Sequence, residues 1–221
     1  MNKLSKRLFK ISKLVEGRIV CDVGCDHGKL AQFLLRKNKV DFMYVSDISL
    51  PSLAKAIKLL DRYGYTNYRA LCCDGLSGYD GLRIDECIIA GMGGEEIIKI
   101  ISNSPIKINS FILSPQHNIV EVKNYMINKG YAILQDKIIK DGHKFYNIFK
   151  CKLGMECSEY SESELRFGKD YNSEEVYDLL DYLDYEEKKV NTLINQVNEE
   201  RKTELRVYLK LIEKTRKDWK V

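Results

Sequence analysis

The stretch Cys21-Asp-Val-Gly-Cys-Asp-His-Gly-Lys-Leu30 follows a short apolar run and precedes a segment with helical spacing. A glycine-containing turn between a strand and a helix is where an open α/β sheet binds a nucleotide. A P-loop requires a longer gap between its glycines than the three residues between Gly24 and Gly28, and a Ser or Thr where Leu30 follows Lys29. P-loop chemistry is therefore rejected. The residues after Gly24 also break the G-x-G-x-x-G spacing, which disfavours NAD binding but leaves it open.

The composition is that of a soluble globular chain. It has 221 residues, 44% hydrophobic and 31% charged, with a formal net charge of +4. No apolar run reaches the roughly 20 residues that cross a bilayer, and the N-terminus lacks a secretory signal, so we expect a cytoplasmic protein without membrane contact. The seven cysteines include no Cys-x-x-Cys pair, which predicts buried free thiols. The mild positive charge permits a nucleic-acid partner without demanding one.

Around the quoted turn, short apolar runs alternate with helical patterns, which predicts a mostly parallel sheet covered by helices on both faces. The predicted strands span 18–23, 42–46, 68–72, 86–90 and 110–113. The predicted helices span 29–37, a segment that begins after Ser49, 95–101 and 119–129. After Gly130 the period changes, and 131–139 and 144–152 predict an antiparallel hairpin that turns at Asp141-Gly142. This order fits the Rossmann-like α/β sheet of class I S-adenosylmethionine (SAM) methyltransferases.

Two helical segments flank the predicted sheet. Residues 3–16 predict an amphipathic helix whose basic outer face either contacts RNA or is simply solvated. After a polar stretch at 157–163, residues 173–219 predict an antiparallel, coiled-coil-like helical hairpin with a charged break at 198–202. Its acidic first half and basic second half either pair with each other or leave a basic stripe for phosphates. We therefore divide the chain into a SAM-binding domain, 1–156, and a C-terminal helical domain, 157–221.

The first turn has the acidic-x-Gly-x-x-x-Gly pattern of SAM methyltransferases, with Asp22 at the end of the strand. We expect Gly24 to let the backbone approach the cofactor and Gly28 to pack the following helix against the sheet. Asp47 ends the second strand, where its carboxylate would accept hydrogen bonds from the ribose hydroxyls. Each carboxylate has an alternative role as a helix cap or turn former.

The next strand ends supply the rest of the predicted cofactor site. Ile48 is expected to pack on the adenine, and Asp74-Gly75 to hydrogen-bond the adenine amino group. The fourth strand ends in Ala90-Gly-Met-Gly-Gly94, whose glycines offer space for a flat ring close to the methyl donor. A tight turn without a chemical role is the alternative for this loop.

Several motifs together resemble one family, the bacterial tRNA (adenine-N1)-methyltransferases that modify adenine 22 in the D-arm. Leu4-Ser-Lys-Arg-Leu8 is similar to the opening helix of that family. Asp22-Val-Gly-Cys-Asp-His27 resembles its Asp-Ile-Gly-Ser-Asp-His turn, and Ile89-Ala-Gly-Met-Gly-Gly94 its fourth-strand loop. Leu113-Ser-Pro-Gln116 is similar to its Leu-Gln-Pro-Asn. The departures are Cys25 for Ser in the turn, and Ser114 and Gln116 for Gln and Asn, which put a base contact from that loop in doubt.

The resemblance implies methyl transfer from SAM to N1 of a tRNA adenine, with S-adenosylhomocysteine as by-product and no metal. N1 of neutral adenine carries a lone pair and no proton, so no general base is needed. The product ring is cationic, and we expect the catalytic carboxylate to be Asp26. His27 would orient Asp26, contact the cofactor or touch the base, and Asp26 would alternatively cap the first helix. The predicted cofactor residues are Asp22, Gly24, Cys25, Asp26, His27, Gly28, Asp47, Ile48, Asp74, Gly75, Ala90, Gly91 and Met92.

Because N1 lies on the Watson–Crick edge, the adenine must be unpaired or flipped out, and the protein must hold the tRNA elsewhere. The residues predicted to hold phosphates are Arg7, Lys10, Lys13, Arg201, Lys202, Arg206 and Lys210. We expect a monomer, with a dimer as an open alternative. Two other functions stay open: a class I methyltransferase for another RNA base or a small molecule, and a non-catalytic RNA-binding protein.

Overall fold

The computed structural model describes residues 4–156 and 159–219. Its centre is a seven-stranded sheet in the order β3-β2-β1-β4-β5-β7-β6. The strands are β1 (Ile19–Val23), β2 (Phe42–Asp47), β3 (Tyr68–Cys72), β4 (Glu86–Ala90), β5 (Ser110–Ser114), β6 (Tyr131–Asp141) and β7 (Lys144–Leu153). β7 is antiparallel to both β5 and β6, while β1 to β5 pair in parallel. The predicted fold class, parallel strands closed by an antiparallel hairpin, is confirmed.

Helices cover both faces of this sheet and extend beyond its last strand. The helices are α1 (Lys6–Leu14), α2 (Lys29–Arg36), α3 (Leu50–Arg62), α4 (Gly94–Ser102), α5 (Ile119–Asn128), α6 (Glu162–Phe167), α7 (Val176–Leu193) and α8 (Glu199–Asp218). Side chains of α1, α2 and α3 share one apolar core with one side of the strands, and those of α4 and α5 share a second core with the other side. The carboxyl ends of β1 to β4 therefore stay uncovered, which leaves room for a ligand.

Local signals explain where these elements begin and end. Ser49 caps α3 because its side chain accepts a hydrogen bond from the Ser52 amide, and a proline lies in the first turn. Gly130 follows α5 with a φ of +83°, a conformation that glycine adopts without strain. The four residues Val20 to Val23 of β1 are all buried, as expected for a central strand covered on both faces.

The helix α1 is fixed to the sheet by a buried carboxylate. Glu86 accepts a hydrogen bond from the backbone of Glu16, just after α1, and lies 2.9 Å from the Lys150 ammonium. Lys150 in turn donates to the carbonyl of Leu14 at 2.8 Å. This pairing satisfies two charges that burial would otherwise penalise. It also fixes the direction in which α1 leads away from the sheet.

The C-terminal helical hairpin forms, with two corrections to the prediction. The helix α6 was not predicted; it begins at the end of the polar stretch 157–163, with a capping box in which Ser161 and Glu164 exchange hydrogen bonds. The break between α7 and α8 lies at 194–198, earlier than predicted, because the side chain of Asn198 caps α8 and residues 199–202 are helical. Lys3, Cys157 and Lys220 lie outside the described residues.

The hairpin packs on the outer strand β6 of the sheet. Ile138 of β6 shares a small apolar core with Phe167, Leu179, Leu183 and Ile212. A fully buried ion pair, Lys123–Asp136 at 2.6 Å, lies beside it, and the Lys123 ammonium also donates to a carbonyl of α6. The predicted domain boundary falls at residues outside the described ranges, so the division of the chain stays a prediction.

The cysteines follow the prediction of buried free thiols in part. Cys21, Cys25, Cys87 and Cys151 are buried and free, whereas Cys72 is exposed, so the prediction is wrong there. Within the described ranges, no helix has the length and apolar character needed to span a membrane.

Candidate active site

A cavity of about 190 Å³ lies where β1, β2, β3 and β4 end. It is lined by Val23, Gly24, Asp47, Ile48, Cys73, Asp74, Gly75, Ala90, Gly91, Met92, Glu96 and Ile100. Most of the residues predicted to hold the cofactor are therefore brought together in one crevice. The sheet produces this arrangement because the carboxyl ends of parallel strands meet at one edge.

The first turn is held against the neighbouring strand. The amides of Gly24 and Cys25 both donate to the carbonyl of Ser46, at 2.8 and 2.9 Å. Gly24 has a φ of +73°, and a Cβ atom at this position would clash with the Met92 methyl group. The positive φ favours glycine here, and a side chain would in addition have to displace the end of the flexible Met92 side chain.

Asp47 combines a turn-forming role with exposure to the crevice. Its Oδ1 accepts from the Ser49 amide at 2.8 Å, and its Oδ2 from the Asp26 amide at 3.3 Å. A carboxylate has about four acceptor positions, so both oxygens can still accept from a ligand hydroxyl. Beside it, Ile48 is 71% exposed, an apolar surface at the mouth of the crevice available for packing on a ring.

Asp22 lies buried behind the first turn. Burial raises the pKa of its carboxyl to about 7, and the Asp47 carboxylate adds to this rise, whereas the Arg7 guanidinium opposes it. Burial also raises the pKa of the neighbouring Cys25 thiol, which keeps that thiol protonated and unreactive. Positive charge bound nearby would favour the ionised form of Asp22.

The two predicted catalytic residues form the exposed tip of the turn and do not line the cavity, although the Asp26 amide donates to Asp47, which does. The His27 Nδ1 lies 2.5 Å from Asp26 Oδ2, which is the orienting contact that was one of the predicted roles of His27. Asp26 has a φ of +46° and does not cap α2, since the cap residue is Gly28, so that alternative is wrong. A Cβ atom on Gly28 would lie 2.8 Å from the Ala56 Cβ, so Gly28 packs α2 against α3 and not, as predicted, against the sheet.

The space predicted around the glycine-rich loop is largely filled by other parts of the protein. A Cβ atom on Gly93 would meet the His117 ring at 2.6 Å, and one on Gly94 the His117 carbonyl at 2.7 Å. The Gln116 side-chain amide donates to the carbonyl of Gly91 at 2.6 Å. Gln116 and His117 thus support the loop, a role that the sequence pattern did not indicate.

Arg7 lies at the crevice, not on an outward RNA-binding face as predicted. Its guanidinium lies 4.8 Å from the ring centre of Tyr146, and a Cβ atom on Gly91 would be 3.4 Å from its Nη1. Its backbone amide donates to the Asp141 carboxylate at 2.9 Å. The sequence did not indicate where the Arg7 side chain lies, because its contact residue Tyr146 belongs to β7, far along the chain.

A second, larger cavity of about 620 Å³ begins beside this arginine. Its walls include Arg7, Gln116, Phe145, Tyr146, Tyr182 and Lys189. The helix α7 therefore closes one side of a cavity whose other side is the methyltransferase-like sheet. Such aromatic walls suit the stacking of a nucleic-acid base.

The other cations predicted to hold phosphates differ in their exposure and in whether they form ion pairs. The Lys10 ammonium lies 2.7 Å from the Glu175 carboxylate, so much of its charge is neutralised. Lys13 is exposed, as are Arg206 and Lys210 of α8. Arg201 and Lys202 pair with glutamates one turn away in α8.

The acidic and basic halves of the hairpin pair across it in part. Arg216 of α8 lies 2.8 Å from Asp184 and 2.6 Å from Glu187, both on α7. Over the two described ranges, no cluster of three His, Cys, Asp or Glu side chains has the arrangement of a metal site.

The family model described as "Methyltransferase domain" matches residues 4–149, so the chain belongs to this family of methyltransferase domains. A putative tRNA methyltransferase of Mycoplasma genitalium is 31% identical over 150 residues, 66% of this chain and 68% of that protein. A tRNA (adenine(22)-N(1))-methyltransferase of Bacillus subtilis is 25% identical over 171 residues, 75% of this chain and 72% of that protein.

A solved structure is similar over nearly the whole chain. The structure of M. capricolum TrmK in complex with S-adenosyl-homocysteine has a TM-score of 0.85 and 24% identity, and the match covers 97% of this chain and 98% of that one. The similarity extends over the C-terminal helices as well as the sheet. The resemblance inferred from the sequence motifs is confirmed by these relatives.

Proposed function

We propose that the protein transfers a methyl group from SAM to N1 of an adenine in tRNA, at position 22 of the D-arm. The observation that carries this proposal is the pair of adjoining cavities, one at the strand ends around Gly24 and Asp47 and a larger one beside Arg7 and Tyr146. The Bacillus subtilis relative, a tRNA (adenine(22)-N(1))-methyltransferase, supports the choice of adenine 22.

The crevice residues fit SAM, which supplies an electrophilic methyl group on a sulfonium. Asp47 offers free acceptor positions for the ribose hydroxyls, and Ile48 offers an exposed apolar surface for the adenine. Asp74 and Gly75 line the same cavity from the end of β3. The buried carboxyl of Asp22 favours positive charge in its surroundings when ionised.

The larger cavity would receive the target adenine after it leaves the RNA stack. Tyr146 and Tyr182 provide aromatic faces, and Arg7 provides a guanidinium plane, all suited to stacking on a base. Since Arg7 also contacts the Gly91 position, a base held there lies next to the cofactor crevice. The residues thus position the nucleophile, a role worth up to about 7–11 kcal/mol in favourable systems.

The Asp26–His27 pair at the tip of the first turn would stabilise charge. Methyl transfer to N1 makes the base cationic, and a carboxylate near it lowers the free energy of the transition state. The short contact with the His27 ring fixes the direction of the Asp26 carboxylate. No side chain has to remove a proton, because N1 carries none.

The test is methylation of unmodified tRNA transcripts by the purified protein with labelled SAM, followed by nucleoside analysis and mapping. We expect 1-methyladenosine at position 22, and no product on a matched transcript with guanine at that position. Label on another base or on a small molecule would contradict the proposed substrate. Binding of tRNA without any transfer of label would contradict enzymatic function.

A further inference from the structure

A groove between the outer faces of α2 and α3 carries a concentrated positive charge. It has a volume of about 520 Å³, and His27 of the catalytic turn lines it. Its lining includes five lysines and arginines and no carboxylate. These cations are Lys29, Arg36, Lys55, Lys58 and Arg62. By comparison, the net charge of the whole chain is +4.

These five cations lack counter-charges within the described ranges. The basic residues that form ion pairs there lie on α1, β6, β7, α5 to α8 and in loops, and none of them is one of the five. Arg36 lies with its guanidinium 5.4 Å from the Phe33 ring centre, and its buried Nε has no hydrogen-bond partner. A buried donor without a partner is costly, and no carboxylate among the residues that line the groove pairs with this guanidinium.

Some of these positions disfavour their own helices, although Arg36 and Arg62 lie in the last turns of α2 and α3, where the helix dipole favours a cation. Lys29 opens α2, where the helix dipole favours an acidic residue, and the first turn contains none. Lys55, Lys58 and Arg62 fall at i, i+3 and i+7 of α3, so they lie on one face and repel each other.

We infer that this groove binds backbone phosphates of the tRNA substrate as it approaches the catalytic turn. The inference rests on the proposed function. The concave shape and the aromatic rings of Phe33 and Tyr63 in the wall suit a nucleic-acid strand with its riboses and bases. His27 lines the groove and contacts Asp26, whose amide donates to Asp47 of the strand-end crevice, so phosphates held here would lie beside the turn that leads to the crevice.

The test compares two triple variants with the same change in charge. The groove variant is Lys55→Glu, Lys58→Glu and Arg62→Glu. Because Asp61 lies on the same helix and Arg62 in its last turn, the thermal unfolding of this variant is measured beside that of wild type. The control variant is Lys99→Glu, Lys107→Glu and Lys129→Glu, three residues in or beside the helices of the opposite layer. A second groove variant with glutamines checks that any loss does not come from repulsion by the new carboxylates.

We expect the groove variant to lose tRNA affinity at least about tenfold at moderate salt. We also expect a weaker salt dependence. In a plot of the logarithm of the association constant against the logarithm of the salt concentration, the slope should become less negative by about 0.7–0.9 for each phosphate contact removed. SAM affinity, measured by calorimetry, should stay within about twofold of wild type in all variants, which shows that they are folded. The control variant should keep most of its tRNA affinity and its slope.

Three outcomes overturn the inference. If the groove variant keeps the tRNA affinity and salt slope of the wild type, and the wild type methylates tRNA, the inference about the groove is overturned. The proposed function is then unaffected. If the groove and control variants lose tRNA affinity equally, the effect comes from the net charge of the protein, and the inference about the groove is also overturned. If the groove variant instead loses binding to anionic lipid vesicles while it keeps tRNA binding, the groove is a membrane surface. Failure of the wild type to bind and methylate tRNA overturns the proposed function itself.

Discussion

The strand-end crevice and the charged helix surfaces of this protein are specified in different ways. In the crevice, Gly24, Asp47 and the Gly91 loop each follow a short strand, and the sheet brings them together. On the helices, the state of a lysine depends on residues far away in the sequence. Lys10 is neutralised by Glu175, whereas Lys58 has no such partner within the described residues. A site built from short contiguous motifs can therefore be predicted from the sequence, whereas the sequence does not show which lysines lack an ion-pair partner.

The largest effect is expected at the tip of the first turn. Asp26→Asn keeps a residue that tolerates the positive φ of this position, so the turn should survive. We expect turnover at saturating substrates to fall about 10²–10³-fold, since a charge-stabilising group is removed. SAM affinity should stay within about threefold. Single-turnover methylation and calorimetry measure the two quantities, and an equal loss in both would make Asp26 a cofactor ligand only.

The burial of Asp22 behind the crevice can be tested by the dependence of stability on pH. Its folded-state pKa is raised from 3.8 to about 7, so the folded protein binds this proton more tightly than the unfolded chain. The free energy of unfolding should therefore fall as pH rises from about 4 to 7, and stay lower above. Asp22→Asn removes this proton, so the fall in the free energy of unfolding between pH 4 and pH 8 should be smaller in the variant than in wild type by about 4 kcal/mol. Urea unfolding at both pH values measures it, and parallel changes in wild type and variant would contradict the burial effect.

Asp47 tests the predicted ribose contact. Asp47→Asn keeps an oxygen that can accept from the Ser49 amide, while it removes the charge and part of the accepting capacity. We expect SAM affinity to fall about 10- to 100-fold, which corresponds to the loss of one charged hydrogen bond. Thermal stability should change little. Calorimetric SAM affinity equal to that of wild type would remove Asp47 from the site.

The smallest effect is expected at a paired lysine. Lys10→Gln removes a cation whose ammonium is held by Glu175, a carboxylate that Lys137 also contacts, so tRNA affinity should change less than about twofold. Lys13→Gln, on the exposed side of the same helix, is the matched comparison and should weaken tRNA binding more. Filter binding at two salt concentrations measures both variants. A larger loss in Lys10→Gln would show that the ion pair opens when RNA binds.

Sequence reasoning predicted the sheet because its strands are short, apolar and separated by capped helices such as α3. It missed α6, although Ser161 and Glu164 carry a capping-box signal, because the surrounding residues are polar. It also placed Arg7 on an outer face, since the contact with Tyr146 joins the N-terminal helix to β7. The helical spacing of Lys55, Lys58 and Arg62 was visible, but the lack of partners around them depends on the tertiary structure.

The measurement that tests the central assignment most directly is a calorimetric titration of the wild-type protein with SAM, repeated with Asp47→Asn. We expect saturable binding at one site per chain, and a clearly weaker association for the variant. If neither SAM nor S-adenosylhomocysteine produces heat of binding under conditions where the protein is folded, the crevice at the ends of β1 to β4 is not a methyl-donor site.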